Sequence, residues 1–461
     1  MVRFTTRRCK PELVAPSRPT PRETKLLSDL DDHRSHYECI PAVTFYRGDG
    51  RKLEDTAKAL RAALAEALVY YYPVAGRLRE LPDGKLAVDC TAEGVAFVEA
   101  RADVLLAELG EPLVPPFPCD GELVCDDVGD AGYVLGKPLL FMQDARLRVT
   151  QFKCGGYCLG LHMIHYIADG FGWNQFIRAV ADLARGEPVP LVMPVWEREL
   201  LMARDPPSVA AAYTAFRPLV EGTGVDDVLH RTPLESMARR CFLFGRSEIA
   251  ALRSHVPELL RESCTDFDVL AAATWRCRTA AVGYEPHQKV RIYFPSSARG
   301  RRRSGFLHVP RGYYGNALLY SIVEVAAGEL CAAGGLGRAV ELVCEGKRGL
   351  TPEYARSTVD LLASLRGRRL VFDGVFVVSD VTHFGGDGLD FGWGEWVGGG
   401  VVVGLTLASF HTRYKNGDGE NCVAVSMLLP EAMMKRFEEE LAMCLIDSDD
   451  KKIVTMPSHG E

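Results

Sequence analysis

Leu60, Leu64 and Leu68 recur every fourth residue in LEDTAKALRAALAEALVYYYPVAGRL, an alanine-rich stretch stopped by Pro73 and Gly76. That spacing predicts an amphipathic helix. Ahead of it, an extended arm rich in proline and charge runs through Asp32 and feeds a strand from Ile40 to Tyr46. Behind it, KLAVDC and VAFVEA read as short strands, followed by a polar loop from Pro115 to Asp130. Tyr157, Leu159 and Leu161 then alternate in a strand that leads up to His165. From Trp173 to Ala184 the apolar residues Trp173, Phe176, Ile177, Val180 and Leu183 share one helical face, and Gly186 closes the run.

The pattern then breaks. Pro188, Pro190, Pro194, Pro206, Pro207 and Pro218 punctuate a region from 187 to about 235 that has no sustained apolar period. It reads as a long connection, and it separates a domain at 1–190 from one at 236–461 through a linker at 191–235. Beyond it, CFLFG and VRIYFP read as strands, and SEIAALRSHV and DFDVLAAATWRCRTAAV as helices. No fixed-period repeat is present. The expectation is an α/β protein of two comparable domains.

Length supports that division, because 461 residues exceed what one hydrophobic core sustains. A hydrophobic fraction of 47% and a charged fraction of 25% place the chain among globular proteins. The net charge of −7 argues against a general nucleic-acid binder, so phosphate contacts must come from a local basic patch. The N-terminus carries charge but no apolar signal core, and no run of about 18 apolar residues occurs. A soluble cytosolic protein with reduced thiols is expected. Cys154 and Cys158 come nearest to metal-site spacing but have no partner pair nearby, so no metal is expected.

Four strings carry candidate chemistry. In His165-Tyr166-Ile167-Ala168-Asp169-Gly170 a strand hands over to a helix, so Asp169 can cap the helix and Gly170 allows the turn. An imidazole there can act as a general base, its ordinary pKa being about 6.5; the plainer reading is a half-buried strand histidine beside a cap. Asp390-Phe391-Gly392-Trp393-Gly394 shares three letters with a kinase motif. No HRD loop stands upstream, since Thr232 follows His230-Arg231, and a tight aromatic turn is the default reading. The loop SSARGRRRSG places Arg299, Arg301, Arg302 and Arg303 within five positions. That is either a phosphate site or a solvated loop. Gly312-Tyr313-Tyr314-Gly315-Asn316 reads as a turn whose asparagine bonds backbone.

Together, HxxxDG at His165 to Gly170, YYGN at Tyr313 to Asn316 and DFGWG at Asp390 to Gly394 resemble the plant BAHD acyltransferases in order and spacing. RRCKPELVAPSRPTPRE with LSDLDD, YYYPVAGRLRE, DCTAEGVAFVEA, PPFPC and PVWEREL extend the resemblance over nearly the whole chain. They point to the branch of benzyl alcohol O-benzoyltransferases and taxane acyltransferases. The resemblance implies two chloramphenicol-acetyltransferase-like domains with mixed sheets and an active-site channel at their interface. It implies a monomer that moves an acyl group from acyl-CoA, a co-substrate rather than a bound cofactor, to a small alcohol or, less readily, an amine.

In that scheme His165 takes the acceptor's proton and both substrates react directly, without an acyl-enzyme. Asp169 turns away and orients the motif through an arginine, while Gly170, Asp390, Gly392, Gly394 and Asn316 hold turns. The Trp393 indole N–H is a candidate donor to the oxyanion. Thr265, Ser297, Arg299 and Arg301 are candidates for coenzyme A contact. The chain departs from the family where Glu395, followed by Trp396, replaces the usual basic residue after Gly394, and where the next segment is shorter. Both changes fall on the expected acceptor side. A condensation domain acting on carrier-bound thioesters is the first alternative, but Ile164 stands where such domains carry a second histidine. A silent binding homologue is the second.

Overall fold

The structure, a computed structural model, describes residues 2–33, 39–124, 147–209, 229, 231–299, 308–366, 368, 374–383, 389–402 and 405–446. In the first part of the chain, β1 (Cys39–Gly48) is followed by helix α1 (Leu53–Tyr70). Strands β2 (Val95–Ala102), β3 (Leu147–Gln151) and β4 (Tyr157–Ile164) come next, then helix α2 (Gly170–Ala184). Leu60, Leu64 and Leu68 of α1 and Phe176 and Val180 of α2 are buried in one core with Leu159 and Leu161 of β4. Each such side chain contributes about 1.5–3 kcal/mol when removed from water. The four-residue leucine spacing therefore does what it predicts: it turns one stripe of α1 to the sheet.

The second part runs β5 (Met237–Phe244), α3 (Asp266–Val282), β6 (Lys289–Ser297), β7 (Leu318–Ala326), α4 (Gly335–Arg348) and β8 (Val375–Asp380). It ends with β9 (Gly394–Val401), β10 (Ala408–Lys415), β11 (Asn421–Pro430) and α5 (Glu431–Cys444). Helix α3 packs between α4 and α5. Val269, Leu270, Ala273, Trp275 and Ala281 on several of its sides are all buried. A helix enclosed on most sides carries no single apolar stripe, which is why DFDVLAAATW reads as alanine-rich rather than amphipathic.

Two mixed sheets form the frame. The second has the order β5-β11-β10-β8-β6-β7, with β8 parallel to both β6 and β10. The first has the order Thr6–Arg8, β2, β3, β4, β1, β9, with β2 and β3 parallel. Strand β9 is the informative one: it lies more than 200 residues beyond β4 in sequence, yet it pairs antiparallel with β1 at the edge of the first sheet. The DFGWG turn immediately precedes it, so that turn launches the crossing strand. Gly399, at φ +152°, shows how tight the crossing is, since a Cβ there would lie 2.4 Å from the Val43 carbonyl oxygen.

Candidate active site

His165 follows the last residue of β4, and Asp169 is the N-cap of α2, its Oδ1 accepting from the Gly172 N–H at 3.0 Å. The helix therefore starts at Gly170, three residues before the apolar face becomes periodic, because the cap fixes its first turn. Gly172 lets that first turn press against the YYGN segment, as a Cβ at this position would sit 1.9 Å from the Tyr314 carbonyl oxygen. The strand end and the YYGN turn are thus pressed together.

Asp169 is fully buried and turned away from the cavity described below. Its Oδ2 accepts from Arg299 Nη1 at 2.7 Å and from the Ala317 N–H at 2.9 Å. Burial alone would raise this carboxyl, but the Arg299 charge and these hydrogen bonds outweigh it and hold the group below the usual carboxylate range. Arg299 also donates through Nε to the Tyr313 carbonyl at 3.0 Å and through Nη2 to the Gly315 carbonyl. Arg299 was expected at a coenzyme A phosphate; its fork is instead spent on Asp169 and the YYGN backbone. Arg301, Arg302 and Arg303 lie outside the described residues.

Asn316 ties the two halves at the histidine itself. Its Nδ2 donates to the His165 carbonyl at 2.7 Å and to Asp31 Oδ1 at 2.8 Å. Asp31 in turn accepts from Ser28 and forms an ion pair with Arg198 Nε at 2.8 Å, both partners being essentially sealed from solvent. Arg198 Nη2 donates to the Ile167 carbonyl at 2.7 Å, and its guanidinium lies 4.1 Å from the centre of the Trp196 ring. The HxxxDG backbone is therefore gripped from both sides, at His165 by Asn316 and at Ile167 by Arg198. Asp31 and Arg198 stand in LSDLDD and PVWEREL, strings that signalled kinship but no role.

Replacing Asn316 with alanine should loosen the His165 carbonyl and lower kcat by up to about 100-fold with KM little changed. Steady-state kinetics over a full substrate range would check the split.

A cavity of about 260 Å³ lies between the two sheets and is lined by His165, by Ile40, Ala42 and Thr44 of β1, and by Trp173 and Ile177 of α2. Pro295 and Ser297 of β6 and Ser379 and Asp380 of β8 close it from the other side. The wall is mainly apolar with a few polar groups, the usual composition of a small-molecule site. His165 is partly exposed in this cavity. Burial pushes the imidazole below its ordinary pKa and outweighs the opposing pull of the Asp169 charge, so the ring is neutral at pH 7. A neutral imidazole facing an apolar cavity can accept a proton.

The remaining candidates divide. Ser297 lines the cavity. Thr265 does not: it caps α3, its hydroxyl bonded to Asp268 Oδ2 at 2.9 Å, with Lys347 Nζ 2.7 Å from the other oxygen of that carboxylate. Asp390 Oδ1 accepts from the Gly392 N–H at 2.7 Å, and the Asp390 carbonyl accepts from Arg185, so this residue holds its own turn. Trp393, expected as an oxyanion donor, is 4% exposed and packs with Phe391 in the core of the first domain under the Arg51 guanidinium. It is not among the residues that line the cavity, and it packs in the core instead. Glu395 points outward and pairs with Arg47 at 2.7 Å. The indole that does line the cavity is that of Trp396.

The fold and this site define a class: a two-domain α/β acyltransferase with its histidine between the sheets. Residues 4–443 match the family described as the Transferase family. The chain is 48% identical to Acyl transferase 1 of Oryza sativa subsp. japonica, over 99% of both chains. It is 44% identical to benzyl alcohol O-benzoyltransferase of Petunia hybrida, over 95% of this chain and 93% of the other. Its fold is similar to the crystal structure of vinorine synthase, with a TM-score of 0.70 at 20% identity over 97% of this chain and 100% of that one. The chain belongs to the BAHD transferase family and is an acyltransferase of that type. No helix among the described residues is long and apolar enough to cross a membrane.

Proposed function

We propose that the protein transfers an acyl group, benzoyl or another aromatic or short acyl, from a coenzyme A thioester to an alcohol, with His165 as general base. One observation carries this reading: a neutral imidazole, fixed at its carbonyl by Asn316, opens into an apolar cavity while its motif aspartate is locked away on Arg299. Acceptor oxygen attacks the thioester carbonyl carbon as Nε2 or Nδ1 of His165 takes the hydroxyl proton. The tetrahedral oxyanion then collapses, the C–S bond breaks, and the thiolate leaves with the proton returned by the imidazolium. No cysteine lines the cavity among the described residues, which favours direct attack over an acyl-enzyme.

Ser297 at the cavity wall is where the coenzyme would first be met, with Thr265 and Arg301 carried as further coenzyme contacts on the family resemblance alone. The relatives' names favour an alcohol over an amine acceptor. The family resemblance supports a cytoplasmic monomer without a permanent cofactor. The test is thiol release across a matrix of acyl-CoAs and alcohols; no release from any pair would overturn the proposal.

The lowered imidazole pKa gives a second expectation. As pH falls through that pKa the ring takes a proton and the base is lost, so kcat/KM should fall on the acid side with a midpoint below 6.5. A pH–rate profile whose midpoint lies above 6.5 would contradict the buried environment.

A further inference from the structure

A transfer through a tetrahedral intermediate needs a hydrogen-bond donor fixed where the oxyanion forms. Trp393 packs in the core and does not line the cavity. His165 is occupied with the acceptor's proton. A base and an oxyanion donor each stand within about 3 Å of their own atom on one reacting carbon. The donor must therefore face the same slot between the sheets, close to the end of β4.

The second sheet presents one. Pro295 and Ser297, two apart on β6, both line the cavity, as does Leu318 of β7, the cross-strand partner of Ser297. This corner of the sheet is pressed onto the HxxxDG segment. Two residues beyond Ser297, Arg299 holds Asp169; two before Leu318, Asn316 holds the His165 carbonyl; the Ala317 N–H between them bonds Asp169. The other hydroxyls that this sheet lends to the cavity, on Ser379 and Thr412, belong to β8 and β10, one and two strands beyond β6 at about 4.8 Å per strand. On the first sheet, Thr44 lies five residues along β1 from Cys39, the partner of Ile164, about 17 Å at the rise of a strand. Asn174 is turned to the His383 carbonyl.

The Ser297 hydroxyl is also set to donate. Its oxygen accepts from the Arg299 backbone N–H at 3.2 Å, and its own proton has no acceptor among the described residues. A hydroxyl has one proton and two lone pairs, so an N–H on one lone pair fixes the oxygen and leaves the proton to turn into the cavity. We infer that Ser297 is a further catalytic residue, whose hydroxyl donates to the thioester carbonyl oxygen as that oxygen becomes the oxyanion. The inference rests on the transferase reading above and deepens it. Ser297 keeps its proton throughout: the acceptor's proton goes to His165, and from the imidazolium to the leaving thiolate as the C–S bond breaks.

The experiment measures thiol release for four variants with one acyl-CoA and one alcohol that the wild type uses. Ser297→Ala should lower kcat by about 10²–10³-fold with KM for acyl-CoA little changed, the loss expected for one oxyanion donor. Ser297→Thr keeps the hydroxyl and should stay within about tenfold of the wild type, whereas Ser297→Val, of the same shape without it, should fall with Ser297→Ala. Ser296→Ala, on the opposite face of β6, should leave both constants as they are. The acid limb of the pH profile should keep its midpoint in Ser297→Ala and Ser297→Val. A shifted midpoint means that the change acts through Arg299 and Asp169, whose charge bears on the imidazole, and overturns the inference. A raised KM for acyl-CoA with kcat held makes Ser297 a coenzyme grip alone and overturns it too, as does equal turnover in Ser297→Thr and Ser297→Val. Each of these leaves the transferase reading standing. A wild type that releases no thiol with any acyl-CoA and alcohol overturns that reading, and this inference with it.

Discussion

His165→Ala should lower kcat by about 10²–10⁴-fold while the protein remains folded, the range expected when a positioned general base is removed. The effect should fall on kcat and kcat/KM together, because proton removal stabilises the transition state and not the bound alcohol. The fold tolerates the change for a structural reason. The hydrogen bond that fixes this residue runs from Asn316 to the His165 carbonyl, which alanine retains, and the imidazole borders the cavity rather than filling the core. The acid limb of the pH profile should vanish with the ring. A His165→Ala variant within a factor of about 10 of the wild type, under conditions where thiol release is rate-limiting, would remove the histidine from the mechanism.

Much of the frame was legible because its signals are local. The leucines of α1 and the alternation of β4 need only their own neighbours to declare their period, and Asp169 caps α2 with a group three residues away. The contacts that make a site are different in kind. Asn316 reads as an asparagine bonded to backbone, and it is; but the carbonyl it holds belongs to His165, 151 residues earlier, which no local spacing encodes. Arg299 is a related case. The sequence suggests a coenzyme contact for it and does not show its partner in the fold, Asp169, a buried carboxylate 130 residues earlier.

Trp393 and Trp396 make the same point about parity. Two indoles three positions apart near one turn look interchangeable as hydrogen-bond donors. Which one reaches the cavity is settled by β9, which starts at Gly394, pairs with β1 and carries a register shift after Trp396. Because β9 crosses from one half of the chain to the sheet of the other, its partner strand was not visible in any window around it. The family resemblance located the motifs, and the pairing of β9 with β1 decided which side chain each motif sends into the slot.

The largest stability loss is expected at Asp31. Its carboxylate accepts from the Ser28 N–H and hydroxyl and from both nitrogen donors of Asn316, in addition to its ion pair with Arg198. Asp31→Ala leaves the Arg198 guanidinium buried without a countercharge and strips the Asn316 backbone N–H of its acceptor. Breaking a buried pair in this way costs about 3–5 kcal/mol, which urea unfolding would register as a lowered midpoint. Arg198→Met should cost less, because Asp31 keeps its four hydrogen-bond donors and methionine fills part of the space against Trp196, whereas Arg198→Met still frees the Ile167 carbonyl. Turnover should separate the two variants further. Asp31 positions Asn316, which positions His165, so Asp31→Ala should lose kcat at temperatures where it is still folded, and more of it than Arg198→Met loses. Equal stability losses in the two variants would mean that the pair acts only as a charge couple; a larger loss for Asp31→Ala in both stability and kcat means that the carboxylate is the hub through which the second domain holds the catalytic strand end in place.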